Sequence, residues 1–500
     1  MTASNSPATQ AAYEHNGRPV SRETFYAIAC DPARSVAVEA CAGAGKTWML
    51  VSRMLRALLD GAQPHEILAI TFTKKAAGEM RERLQQWLQA FADAPQERLA
   101  HELRIRGVSA QGVPAQSAAL AGLYRALLQA GRPVQVRTFH SWFAALLRNA
   151  PLAVLQQLGL PARYELLEDD SEAVAAVWRR FHIATAGDAA ARQDYLDAVA
   201  AHGRFNTLKA LQAALAKRVE FALADAHGVV DRSVRRFDEQ FPELAGVAMP
   251  ADALGGAVAR TVLLEAARVL GGGAPTYAAL GGRLEEAVTG TDLDGAVAAL
   301  FTQKGEPRKF GKLADHPAVI GAQTLAGRLR DAALQHEAWL HQQRMARLTR
   351  RLADDFAALK RERGWVDMND VERAALVMLS DPVLSGWVQE RLDARVRHLL
   401  IDEFQDTNPL QWQALHAWLA GYAGAGGAPG VFIVGDPKQS IYRFRRAEPQ
   451  VFRAAQQFVV QGLAGDLLSC DHTHRNARQV LAAVNEVMGA AQGAGEYDGY

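Results

Sequence analysis

Ser35-Val-Ala-Val-Glu39 leads directly into Ala40-Cys41-Ala42-Gly43-Ala44-Gly45-Lys46-Thr47, and Trp48 to Leu59 continues with helical spacing. A strand, a turn of small residues and a helix, in that order, constrain this chain more than any other feature. Small residues let backbone N–H groups turn inward at a helix N-terminus and surround phosphate oxygens. Lys46 would then reach the outer phosphates, and the Thr47 hydroxyl would ligate Mg²⁺. A simple Gly/Ala-rich turn does not account for Gly-Lys-Thr at the helix start. The pattern departs at one position, where Ala40 stands in place of the first Gly.

A site that hydrolyses a nucleotide also needs an acid for the metal and a group that takes a proton from water, both at the end of a buried strand. Val396-Arg-His-Leu-Leu-Ile401 runs into Asp402 and Glu403. Asp402 suits the metal and Glu403 suits the general base. A third apolar run, Val431-Phe-Ile-Val434, is ended by Gly435-Asp436-Pro437, which places Lys438 and Gln439 just past a strand's carboxyl end, where open α/β sheets bind ligands. Tyr442 and Phe444 then alternate with Arg443 and Arg445. In an extended segment this puts two rings on one side and two guanidinium groups on the other, which suits stacked bases and phosphates. A buried strand followed by an amphipathic turn with core aromatics fits the same residues.

With 500 residues the chain exceeds one compact core, and two to four domains are expected. Lys plus Arg number 55 against 54 Asp plus Glu, so contact with a polyanion has to come from local grooves. Cys30, Cys41 and Cys470 form no paired framework, which points to a reducing compartment. The N-terminus is polar and no membrane-length apolar run follows it, so a cytoplasmic protein with no membrane partner is expected.

The ordered motifs resemble those of superfamily 1 DNA helicases of the UvrD, Rep and PcrA type, and more narrowly the motor of RecB and AddA helicase-nucleases. Ala40 to Thr47 resembles the first motif, Ile70 to Met80 the next, and Arg137-Thr-Phe-His-Ser141 the strand-contacting motif after it. Asp402 to Asp406 resembles the second motif and Gly435 to Tyr442 the third, while Leu468 to Arg475 is similar to a divergent fourth. The resemblance implies an α/β fold: a RecA-like P-loop domain with a parallel sheet, discontinuous in sequence, interrupted by a large α-helical insertion. It implies ATP and Mg²⁺ as cofactors. It also implies that Gln439 senses the γ-phosphate and that Arg475 contacts it. Thr71, Phe72, Lys74, His140, Tyr442, Phe444 and Arg445 would touch single-stranded DNA, and duplex junctions would be the wider substrate. Two positions depart from the family: Thr24 stands where many members carry a Gln that reads adenine, and His474 replaces the usual Tyr as the residue beside adenine.

The expected organisation is a flexible N-terminus over 1–17, a first RecA-like segment over 18–150, an α-helical insertion over 151–350, a second RecA-like segment over 351–476 and the start of a second RecA-like domain over 477–500. No stretch after Val484 resembles the family's last two motifs, so a complete two-lobed ATP site is expected to need sequence beyond Tyr500. Three functional readings follow: an ATP-driven DNA helicase moving 3′ to 5′ by resemblance, the motor of a helicase-nuclease whose partner is a second subunit, or a nonhydrolysing DNA-binding scaffold.

Overall fold

The computed structural model describes residues 12–167, 169–381, 383–384, 396–421, 429–441, 446–473 and 475–496. These form two compact units: one joins the chain up to Glu168 with the chain from Gly364 onward, and the other spans Asp169–Arg363.

The first unit is built on an eight-stranded sheet. Its strands are β1 (Tyr13–His15), β2 (Arg18–Pro19), β3 (Val36–Ala40), β4 (Ile67–Thr71), β5 (Gln135–Thr138), β8 (His398–Ile401), β9 (Gly430–Gly435) and β10 (Asp466–Cys470), in the order β2-β1-β10-β3-β9-β8-β4-β5. From β10 to β5 all neighbours are parallel, while β1 pairs antiparallel with β10 and with β2. A parallel sheet is covered on both faces, and the residues sort accordingly. Val36, Val38, Ala69, Phe432 and Val434 face one core with the helices Lys46–Leu59 and Lys74–Ala92. Ala37, Leu68, Ile70, Ile401 and Ile433 face another with Phe139–Arg148 and Pro409–Ala420. Period-two alternation thus assigns each strand residue to a face.

The two segments interleave, since β3 lies between β10 and β9, and β4 between β8 and β5. A separate two-stranded parallel sheet, β6 (Glu165–Leu167) with β7 (Trp365–Asp367), pairs the chain just before it leaves the first unit with the chain just after it returns.

The second unit is helical, with an isolated antiparallel bridge between Phe301 and Pro307. Its core includes Leu263, Leu270, Phe301, Phe310 and Leu329, packed along the helix Pro317–Arg363. That 47-residue helix carries Arg347 and Arg350, which pair with Asp194 at 2.7 Å and with Asp231 at 2.7 Å.

Two expected boundaries move. The helical unit spans 169–363 rather than 151–350, because the helix Leu152–Gln157 buries Val154 and Leu155 in the core of the sheet unit and the long helix continues to Arg363. The expected flexible tail over 1–17 contains strand β1, which pairs Tyr13 with Cys470, and a turn at Asn16 (φ 49) and Gly17 (φ 74); residues 1–11 lie outside the described residues. Asn-Gly is the pair that a tight hairpin with two left-handed residues selects, so the signal was present in the sequence.

Candidate active site

The loop after β3 carries the first site residues. Gly43 (φ 81) and Gly45 (φ 86) are left-handed, and the helix starts at Lys46 with no side chain capping it. Its first amides are therefore left to an anion at the positive end of the helix dipole. Ala40 is fully buried as the last residue of β3 and is not left-handed, which explains why Ala serves where the pattern has Gly. Cys41, Ala42 and Ala44 complete the turn, with the Cys41 N–H donating to Cys470 O (3.1 Å) and the Ala44 N–H to Cys41 O (3.2 Å). Thr47 sits in the first turn of the helix. The segment after β10 crosses this loop closely: a Cβ on Gly43 would stand 2.5 Å from Thr473 Oγ1 and 2.7 Å from Arg475 Cβ. Arg475 is thereby brought to the loop, whereas His474 lies outside the described residues.

Lys46 Nζ lies 2.9 Å from Glu403 Oε2, across 357 positions of sequence. Glu403 adopts a left-handed backbone (φ 48, ψ 46), a conformation that costs a non-glycine residue on the order of 1–3 kcal/mol and clusters at functional sites. Asp402 is buried at the end of β8 and accepts the Glu403 N–H on Oδ1 (3.0 Å). Burial first, then the Glu403 charge, push the Asp402 carboxyl up to about 7. The same two causes push Asp406 up to about 6, and Asp406 Oδ1 is buried without a hydrogen-bond partner among the described residues. Three acids thus crowd one ammonium. A hard divalent cation with oxygen ligands relieves such crowding, so the donor set of Asp402 and Thr47 fits Mg²⁺.

A hydrogen-bond chain leads from here to the loop after β9. Gln405 Nε2 donates to Glu403 Oε2 (2.8 Å), and Gln405 Oε1 accepts the Asp436 N–H (3.0 Å). Gln439 Nε2 donates to Asp436 Oδ2, and Ser440 Oγ donates to Gln405 O (3.2 Å). Gln405 is 2 % exposed, and a Cβ on Gly435 would meet its Oε1 at 2.5 Å, so Gly435 leaves the room the carboxamide occupies. Gln405 and Asp436 lie inside the segments that resemble the second and third motifs, but the sequence alone assigned neither a role.

A second cluster surrounds Glu372, on the helix Met368–Ser380 and 1 % exposed. Its Oε1 accepts from Asn408 Nδ2 (2.8 Å) and Gln411 Nε2 (2.7 Å), and His140 Nε2 lies 3.3 Å from the same oxygen. Arg446 Nη1 lies 3.2 Å from Glu372 Oε2 and also donates to Asn369 Oδ1, from a left-handed backbone (φ 71). Burial pushes the Glu372 carboxyl up, but the His140 hydrogen bond and the Arg446 charge outweigh it and hold the group below the usual glutamate range. Asp367, in contrast, caps this helix by accepting from the Asn369 and Asp370 N–H groups.

Among the residues expected on a DNA path, half-exposed His140 is tied to this cluster. Phe72 is partly buried, and Lys74 is exposed at the start of its helix. Thr71, the last residue of β4, is 1 % exposed, so it offers little side-chain surface. Tyr442, Phe444 and Arg445 lie outside the described residues. Beside Ala44 and Gly45 opens a cavity of about 530 Å³, walled by Arg22, Tyr26, Trp48 and Arg104. Thr24 does not line it; its Oγ1 lies 3.1 Å from the helix-capping Ser21 Oγ.

A family model described as the UvrD/REP helicase N-terminal domain matches residues 20–459. The chain belongs to this family. Among curated relatives of this helicase-family chain is an ATP-dependent helicase/nuclease subunit of Geobacillus thermodenitrificans (strain NG80-2), 36% identical over 186 residues, which is 33% of this chain and 15% of the relative. Proteins of the same description from Geobacillus kaustophilus (strain HTA426) and Listeria monocytogenes serotype 4b (strain F2365) are 37% identical over 166 residues and 36% over 147. Those alignments cover 31% and 29% of this chain and 13% and 12% of the relatives. The chain therefore matches only a small part of these relatives' length. No helix among the described residues is long and apolar enough to cross a membrane.

Proposed function

We propose that this chain is the ATP-hydrolysing part of a DNA helicase that acts in recombination or repair, built on a RecA-like P-loop domain into which the helical unit is inserted. The single observation that carries the reading is the chain Lys46–Glu403–Gln405–Asp436–Gln439, which links the phosphate loop to the loop that enters Tyr442–Arg445. In this reading the two sites share one hydrogen-bonded path.

The loop amides and Lys46 hold the triphosphate, and its base enters the cavity beside Tyr26 and Trp48. Thr47 and Asp402 would hold Mg²⁺, which would supply neutralising charge to the phosphates. As Lys46 turns to the phosphates it leaves Glu403, whose carboxylate then takes the proton from the attacking water. Gln439 and Arg475 hydrogen-bond the γ-phosphate and stabilise the charge that develops on it. Loss of that phosphate releases Gln439, and through Asp436 it resets the segment that follows. Single-stranded DNA and duplex junctions are the polymer substrates, with movement 3′ to 5′ and a cytoplasmic setting.

A second reading makes this the motor of a helicase-nuclease that works with a partner protein; it is favoured by relatives described as helicase/nuclease subunits. A nonhydrolysing scaffold is disfavoured by the Lys46–Glu403 pair. The test is DNA-stimulated ATP turnover by the full-length protein beside Lys46→Ala. The parent should be stimulated by single-stranded DNA and Lys46→Ala should fall by roughly 10²–10³-fold, as when one donor to developing charge is removed. Equal, low turnover in both would end the motor reading. Unwinding of 3′-tailed against 5′-tailed duplexes decides polarity.

A further inference from the structure

Trp48 walls the cavity beside the phosphate loop and lies in the first turn of the helix that begins at Lys46. Its ring meets that of Tyr26 nearly edge-on, with centroids 5.1 Å apart. The guanidinium of Arg106 lies over the same ring. Arg106 Cζ is 5.1 Å from the centroid of Trp48, 4.6 Å from that of Trp87 and 5.6 Å from that of Phe91. Arg106 is 1 % exposed and does not itself line the cavity.

The same residue holds the helix Lys46–Leu59 at both ends. Its side chain lies over Trp48 in the first turn, and its carbonyl oxygen accepts from Arg56 Nη1 (2.8 Å) in the last. The next residue, Gly107, is left-handed (φ 77), and a Cβ there would stand 2.3 Å from Ala27 Cα. The chain therefore passes directly against the helix Arg22–Ala29, which supplies Tyr26 to the cavity. The helix that Arg106 ends, Gln96–Ile105, supplies His101 and Arg104. The helices that wall the cavity thus converge on residues 106 and 107.

Packing alone would be served by an uncharged side chain, without the cost of burying a charge. Arg106 Nη1 donates to Glu102 O (2.8 Å) and pairs with Glu102 Oε2, whereas Nε is buried with no hydrogen-bond partner among the described residues. The rings therefore stand where water would otherwise solvate the cation, and contact between a cation and an aromatic face strengthens when it is desolvated. A guanidinium stacks flat on an indole, as the compact ammonium of lysine does not. Such a contact fixes the tilt of the Trp48 ring as well as its place.

We propose that Arg106 is a positioning residue for the nucleotide: stacked among Trp48, Trp87 and Phe91, it holds Trp48 in the orientation that receives the base. The proposal rests on the reading that the base of the bound nucleotide enters this cavity. Affinity that comes from the base then depends on Arg106, and affinity that comes from the phosphates, held by the loop and Lys46, does not.

The test uses the full-length protein, with calorimetric titration of ATP and of inorganic tripolyphosphate beside turnover at saturating DNA. Arg106→Lys should weaken ATP about tenfold and leave tripolyphosphate within about twofold of the parent. KM should rise with the ATP constant while kcat stays within about twofold, the pattern of lost uniform binding. Trp87→Leu, at a partly buried position that leaves the charge paired with Glu102, should shift the ratio of the two constants the same way by roughly threefold. In a Trp48→Ala background Arg106→Lys should change the ratio no further, because residues that act through one another are not additive. Additive losses in that background, or a ratio unchanged by both Arg106→Lys and Trp87→Leu, overturn this proposal alone. Equal loss of both ligands with a lower melting temperature in the two variants also overturns it, since Arg106 would then only be packing. Trp48→Ala that binds ATP as the parent does would show instead that the base does not enter the cavity, and the reading beneath the proposal fails.

Discussion

Glu403→Gln should cut turnover by roughly 10²–10⁴-fold while leaving nucleotide affinity within about threefold of the parent, the range expected when a positioned proton acceptor is lost. The substitution keeps the shape but removes the negative charge, so the left-handed backbone at Glu403 has no new atom to accommodate. Lys46 also loses a partner at 2.9 Å, which frees it for phosphate and works against any loss of affinity. Stability should change little. The pair is partly exposed and worth at most about 1 kcal/mol, and its removal relieves the crowding that raises Asp402 and Asp406. Single-turnover hydrolysis, measured beside equilibrium binding of a fluorescent nucleotide, separates the two effects. Turnover within a factor of three of the parent would remove Glu403 from the role of base.

Glu372→Ala should be the most destabilising single change, by about 3–5 kcal/mol, because it leaves a largely buried guanidinium and the Asn408, Gln411 and His140 donors without their acceptor. At about 2 °C for each kcal/mol in a large domain, the melting temperature should drop by roughly 6–10 °C. The sign with pH is fixed. A carboxyl held below its ordinary value stabilises the fold above that value, and the contribution is lost as pH falls through the depressed one. The gap between the parent and Glu372→Ala should therefore narrow in acid. Under the proposed function the variant should also lose DNA stimulation more than basal turnover, since His140 and Arg446 flank the expected strand contacts. Melting curves at pH 7 and near pH 4 test the first claim; equal melting temperatures at pH 7 would show that the cluster holds nothing together. The ratio of stimulated to basal turnover in the surviving fold tests the second.

The strand ends were legible in the sequence because each is a short apolar run broken by Gly, Asp or Pro, and the loop residues because Gly-Lys-Thr has few other uses. Glu372 was not legible. On a helix with amphipathic spacing it reads as one more surface acid, and its burial depends on Asn408, Gln411, His140 and Arg446 arriving from three distant segments. Gln405 was missed for the same reason, since its carboxamide is defined by the space Gly435 leaves on a neighbouring strand. Thr71 was named as a DNA contact only through the family resemblance, and its 1 % exposure, which depends on packing from distant segments, was not legible in the sequence. The helical boundary near 363 escaped because no Pro or Gly interrupts the long helix around residue 350, whereas Gly364 (φ 68) does end it.

Interleaved strands also govern the order in which the protein can be made. β3 has only β9 and β10 as neighbours, and β9 begins at Gly430, some 390 residues after Ala40. At about 5–20 residues per second on the ribosome, the strand that carries the phosphate loop waits roughly 20–80 s for its first partner. Ribosome-stalled chains that end before Gly430 should therefore be cut by protease around Lys46, and protection there in such chains would refute the delay. The loop that would cradle the phosphates is thus made long before the strands that fix its position.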